Sequence, residues 1–174
     1  MRWAAIVAIL SMPSIAWAFD GQREVFLVPV DGERIKIADL TISDGAYVLS
    51  MNDPEFTDHF LSMRPFKCLE GSEKHWCHVP YPYENRHDIS QDLTDLEYDL
   101  LFLWKGATEY GINMWNGVYY VLEQDGDQLV GRLHEMDMGI LSAPPDPGEL
   151  RPVNSSDLEP AESESHWLPV LMIE

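Results

Sequence analysis

Apolar and polar residues alternate with a period of two through much of this chain, and Asp-Gly pairs punctuate the alternation. Asp-Gly favours a tight hairpin, because a type I′ turn needs positive φ at both central residues. Around Asp31-Gly32, a two-residue turn sets Val30 opposite Glu33, Val28 opposite Ile35 and Phe26 opposite Ile37. Around Asp44-Gly45, Ile42 faces Tyr47 and Leu40 faces Leu49. The apolar parity changes between these hairpins, from odd at Ile35 and Ile37 to even at Leu40 and Ile42. Strand side chains have a period of two, so one residue must be absorbed, and a bulge or break is expected near Ala38-Asp39. Around Asp125-Gly126, Leu122 faces Leu129, Tyr120 faces Gly131 and Val118 faces Leu133, giving one apolar face. Asn116-Gly117 is a weaker turn signal between Ile112–Trp115 and Val118–Leu122.

Two stretches depart from this pattern. Leu93, Leu96, Leu100 and Leu103 have helical spacing, with Ser90 or Asp92 available as a cap, yet Leu100–Trp104 also reads as a buried strand. The expectation is a short helix near 91–97 followed by a strand over 98–104. From Pro144 the composition turns to proline, serine and acids, which reads as an extended, poorly ordered linker over 144–165. The apolar segment 166–174 then reads as a strand docking back on the β domain of 19–143. Pro169 would confine it to an edge.

The first 18 residues carry a leader pattern. Arg2 is the positive start, Trp3–Leu10 is an apolar run, and Ala16-Trp17-Ala18 supplies the small residues a signal peptidase needs. The apolar run is short for a membrane span, which needs about 20 residues. No cysteine stands at the cleavage point and there is no twin arginine. The mature chain therefore begins near Phe19, with no membrane span, in the periplasm or outside the cell. Removing the leader takes Arg2 from the 11 basic residues and none of the 30 acidic ones, so the balance moves from −19 to −20. Such a charge disfavours nucleic acid and anionic lipid as partners.

Export changes the reading of Cys68 and Cys77. In an oxidising compartment two cysteines this close pair, and a turn centred on Ser72 and Glu73 sets Leu69 opposite Trp76 and Cys68 opposite Cys77. Closing this loop contributes about 2–3 kcal/mol in the loop-entropy description.

Candidate chemistry is sparse. His75, His78 and His87 with Glu84 are the residues from which an extracellular metal site could be built; pairing with Cys68 removes Cys77 from it. Asp88, Asp92, Asp95, Glu97 and Asp99 lack a calcium-loop pattern and read as a solvated helix face. There is no nucleophile elbow, phosphate loop, zinc-protease motif or dinucleotide fingerprint, and no cofactor is implied. Aromatic residues are dense between 76 and 120. On a barrel, Trp104, Trp115, Tyr120 and Leu122 could line an apolar ligand cavity.

Several segments, RPFKC at 64–68, WCHVPYPY at 76–83, DLTDLEYDLLFLWK at 92–105 and WNGVYY at 115–120, resemble an uncharacterised family of small exported proteins of alphaproteobacteria. The resemblance covers about half of the mature chain and implies export but no activity. The meander is also similar to lipocalin barrels, at the level of architecture only, since the G-x-W signature near the first strand is missing.

The sequence thus reads as a mainly β domain, an antiparallel meander forming a small barrel or sandwich. Its expected role is binding, of a small apolar ligand or an envelope protein, with the oligomeric state open. A metal-dependent hydrolase and an envelope assembly factor acting through the apolar C-terminus are the alternatives.

Overall fold

The computed structural model describes residues 19–52, 55–61, 65–162 and 164–174; the expected leader lies outside them. The chain folds into β1 (Gly21–Val28), β2 (Ile35–Ser43), β3 (Ala46–Met51), β4 (Thr57–Phe60), β5 (Pro65–Leu69), β6 (Lys74–His78), α1 (Thr94–Asp99), β7 (Phe102–Gly106), β8 (Gly117–Asp125), β9 (Gln128–Met136), β10 (Glu159–Pro160) and β11 (Val170–Ile173). The strands form one antiparallel curled sheet, a half-barrel, in the order β3-β2-β1-β11-β9-β8-β7-β6-β5-β4, with β10 added on β9.

The β2–β3 hairpin follows its pattern: Asp44 and Gly45 both have positive φ, and Ile42 faces Tyr47 while Leu40 faces Leu49. β5 and β6 pair Cys68 with Cys77 and Leu69 with Trp76, and the two cysteines form a disulfide.

The first hairpin differs. Among the residues of its loop only Gly32 has positive φ, so the connection is a wider loop over 29–34 rather than a two-residue turn. Val30 within it is exposed, and its N–H donates to the Trp167 carbonyl. Phe26 faces Lys36 while Val25 faces Ala38, so Ile37 is the extra residue. The bulge thus falls one position before Ala38-Asp39, and it lets Ile37, Leu40 and Ile42 all turn inward.

In the β8–β9 hairpin the turn residues are Gly126 and Asp127, not Asp125 and Gly126. Positive φ at Gly126 and not at Asp125 or Asp127 fits a type II′ turn. Leu122 therefore faces Gly131, and Tyr120 faces Leu133. Because the register moves by an even step, the expected apolar face survives. A Cβ on Gly131 would lie 3.0 Å from Leu122 and Tyr120 and 3.2 Å from Leu171, so side chains of the two flanking strands close over bare backbone there.

Asn116-Gly117 makes no hairpin. A 3₁₀ turn, Met114–Asn116, leads directly into β8, capped by Asn113. The helix and the following strand lie two to four residues later than expected. Leu96 and Leu100 are buried beneath the helix, as their spacing predicts.

β11 is not an edge strand. It pairs with β1 on one side and β9 on the other, setting Leu171 between Leu27 and Gly131. Pro169 stands just before it and removes no ladder donor; its carbonyl accepts the Leu133 N–H. Nor is 144–165 a detached linker. β10 pairs with β9, the Leu150 carbonyl accepts from Tyr81, and the Val153 N–H donates to the Tyr98 hydroxyl.

The concave face is filled. Leu27, Leu40, Trp76, Phe102, Tyr120 and Leu171 pack from the sheet against Leu93, Leu96 and Leu100. A second apolar cluster, around Tyr98, Leu101, Leu103 and Tyr119, lies beneath 79–83 and 138–158.

Candidate functional site

The four residues expected around an internal cavity do not share one. Tyr120 is fully buried in the core and donates to the Leu168 carbonyl at 2.7 Å; burial pushes its hydroxyl far above its ordinary range. Leu122 packs in the same core. Trp104 is half-buried, with the Lys74 ammonium 4.2 Å over its ring. Trp115 is 74% exposed.

The four expected metal ligands divide as well. His75, on β6, lies beside His59 with ring centroids 5.0 Å apart, and His59 approaches Glu70. His78 and His87 instead meet at Asp99. Among the described residues no three His, Cys, Asp or Glu are placed to hold a metal ion, and Glu84 joins neither pair.

Asp99, at the end of α1, gathers residues distant in sequence. Its Oδ2 accepts from the Tyr47 hydroxyl at 2.6 Å and from His87 Nδ1 at 2.9 Å; its Oδ1 accepts from Asn85 Nδ2 at 3.1 Å. The His78 Nε2–H donates to its backbone carbonyl at 2.8 Å. Burial, then the adjacent carboxylate, pushes the Tyr47 hydroxyl well up. Burial lowers His78 against the opposing pull of the Asp99 carbonyl, which favours a neutral ring. His87 holds a positive φ of 53°. Tyr47, His78, His87 and Asp99 line a cleft of about 380 Å3 along β3, walled also by Val48, Leu49, Met51 and Pro80.

The acids of α1 are not a solvated face. Asp95 is buried and accepts from Arg151 Nε and Nη2, while Asp92 accepts from Arg151 Nη1. Glu97 is buried against β8, where it accepts from Tyr119 and from the Leu122 N–H. Burial raises its carboxyl against the pull of both donors. Asp92, Asp95, Glu97 and Asp99 are thus consumed in joining segments of the fold, while the Asp88 side chain accepts from the nearby Ser90 N–H.

An open apolar pocket of about 260 Å3 lies on the other face of β5–β7. Cys77 and Leu103 are cross-strand partners whose side chains point away from Trp76 and Phe102 in the core. With Phe66 they form the floor; Leu61, Ile112 and Met138 belong to the walls. Every lining residue is apolar. The aromatic pattern could not disclose this site, because its lining is mostly aliphatic and sulfur-containing. The faint signal was the pair Met114 and Met138, since flexible thioethers suit adaptable apolar surfaces.

Comparison of the chain with protein-family models, curated proteins and solved structures finds no match to any of the three.

Proposed function

We propose that this chain is an exported binding protein that holds the aliphatic part of a small amphipathic ligand in the pocket on the outer face of β5–β7. The pocket itself carries the reading: about 260 Å3, partly open, and lined only by apolar residues. Such a site offers a ligand burial and nothing else, because its lining supplies no acid, base or nucleophile. Burying about 150 Å2 of aliphatic surface contributes about 4 kcal/mol before the cost of association. The opening leaves a polar head group in water. Export is supported by the leader pattern, by the Cys68–Cys77 bridge in the pocket floor, and by the resemblance to exported alphaproteobacterial proteins. Among the described residues no helix is long and apolar enough to cross a membrane.

The test is a titration of the purified mature protein with laurate by isothermal calorimetry, alongside an Ile112→Trp variant that fills the pocket from a half-buried wall position. Saturable one-to-one binding, weakened at least tenfold by the variant, is expected. Absence of binding, or equal affinity in a variant of unchanged melting temperature, would refute the reading.

A further inference from the structure

We propose that the open edge of β3 takes an extended peptide segment of a partner protein as an added strand, seated in the cleft beside His78 and His87. This surface uses none of the residues of the apolar pocket.

The register shows which backbone groups are available. In an antiparallel pair, alternate residues turn their N–H and C=O toward the partner strand. The Tyr47 N–H donates to the His87 carbonyl, not to β2, and the Asn52 N–H donates to Ile37. Ala46, Val48 and Ser50 therefore bond to β2, while Tyr47, Leu49 and Met51 turn their backbone groups outward. The chain's own residues already cover the start of this edge: Ala46 bridges Asp88, and the Ile89 N–H donates to the Gly45 carbonyl. Past Tyr47 that cover stops. Among the described residues no strand lies beside Leu49 and Met51, because β3 ends the sheet order. What lies beside them is the 380 Å3 cleft.

The composition of this edge argues that it is used. Proteins protect open edges with charges, prolines or very short strands. β4, the other end strand, follows that rule, with four residues that include Asp58. β3 reads AYVLSM and has six residues without a charge or a proline, in a chain of which 24% is charged. Val48 stands 70% exposed on it.

The cleft selects the occupant. His78, Pro80 and His87 line it together with β3, so it accepts one extended chain and not the sheet of a second copy. Pairing of two copies is opposed further by a net charge of −20 on each mature chain. The same charge favours an uncharged or basic segment. Leu49, Met51 and Pro80 offer apolar contact to its side chains on one face and Val48 to those on the other, while backbone bonds at Leu49 and Met51 hold its main chain.

The test selects a phage-displayed library of random linear heptapeptides on the mature protein, then examines the best synthetic peptide. The Leu49 and Met51 amides should become protected from hydrogen exchange when it binds. N-methylation at successive peptide positions should weaken binding about five- to tenfold at every second position, because only one set of its amides faces β3. Val48→Lys, at an exposed site, should weaken a basic peptide by a similar factor while leaving the melting temperature unchanged. The proposal is overturned if no peptide is enriched, if the N-methyl effect does not alternate, or if Leu49 and Met51 stay unprotected. It is equally overturned if those amides become protected with rising protein concentration alone, which would mean self-pairing.

Discussion

Glu97 Oε1 accepts the backbone N–H of Leu122 at 2.7 Å, and its Oε2 accepts the Tyr119 hydroxyl at 2.5 Å. β7 pairs with β8 only at Phe102–Val118 and Leu103–Gly117, and beyond that point α1 packs beside β8. One carboxylate thus supplies an acceptor where β7 supplies none. A buried N–H left without one costs about 1–3 kcal/mol.

Two substitutions separate the geometry of this group from its charge. Glu97→Leu removes both acceptors and should lower stability by about 2–4 kcal/mol in urea denaturation. Glu97→Gln keeps an acceptor for Leu122, and the Tyr119 hydroxyl can turn to accept from the amide. Burial raises the Glu97 carboxyl in the folded state above its unfolded value. Its contribution is therefore fully present below the unfolded value and is lost as pH rises through the folded one. Relative to the native chain, Glu97→Gln should gain stability from pH 4 to pH 7. Equal differences at both pH values would contradict this assignment.

Deleting 166–174 should abolish folding, not trim an appendage. The deletion removes an interior strand bonded on both sides, together with Leu168, Leu171 and Ile173, each at most 1% exposed. It also removes His166, which packs on Trp76 and Trp104. The truncated chain should show no cooperative thermal transition by circular dichroism; a well-folded product would contradict the topology.

His166 and His78 should make the fold sensitive to mild acid. Burial lowers both in the folded state from an ordinary value of 6.5. His166 Nδ1 lies 3.2 Å from the Lys74 ammonium and Nε2 lies 2.8 Å from Glu135, so the neutral ring accepts from lysine and donates to glutamate. A second proton would oppose an N–H to the ammonium. For groups lowered on folding, stability is complete above the unfolded value and is lost as pH falls below it. Melting temperature should therefore drop between pH 7 and pH 5, and His78→Asn with His166→Gln should flatten the drop.

The same dipeptide shows what sequence can and cannot specify here. Asp44-Gly45 makes the turn its composition suggests, while at Asp125-Gly126 the turn moves on by one residue because Asp125 keeps negative φ. Faces were legible in both cases, since a period of two survives a shift of two. The Cys68–Cys77 pairing was legible because so few residues separate them. β11 was recognisable as a strand but not as an interior one: Leu27 and Leu171 are 144 positions apart, and nothing local records that they pair. The acids of α1 looked solvated because their partners, Arg151, Tyr119 and the Leu122 amide, come from other elements. Apart from the faint signal of Met114 and Met138, the apolar pocket is lined by hydrophobic residues that could equally have filled a core.

Asp99 offers the sharpest test of how the loop over 85–89 is held to β3. Its Oδ2 accepts two donors, the Tyr47 hydroxyl and His87 Nδ1, and its Oδ1 accepts Asn85. Asp99→Asn replaces one acceptor by a donor with little change of volume, so either the Asn85 amide loses its acceptor or the Tyr47 hydroxyl and His87 must turn from donating to accepting. The backbone bonds from Tyr47 to His87 and from Ile89 to Gly45 should then open more often. Stability should fall by about 1–3 kcal/mol, with faster hydrogen exchange concentrated at Tyr47 and Ile89. The Tyr47 hydroxyl, held high first by burial and then by the carboxylate, should move down toward its ordinary value without reaching it, because the burial remains. Hydrogen exchange of Asp99→Asn measured against the native chain reads the loosening, and unchanged exchange at Tyr47 and Ile89 would show that Asp99 is not what fastens the loop.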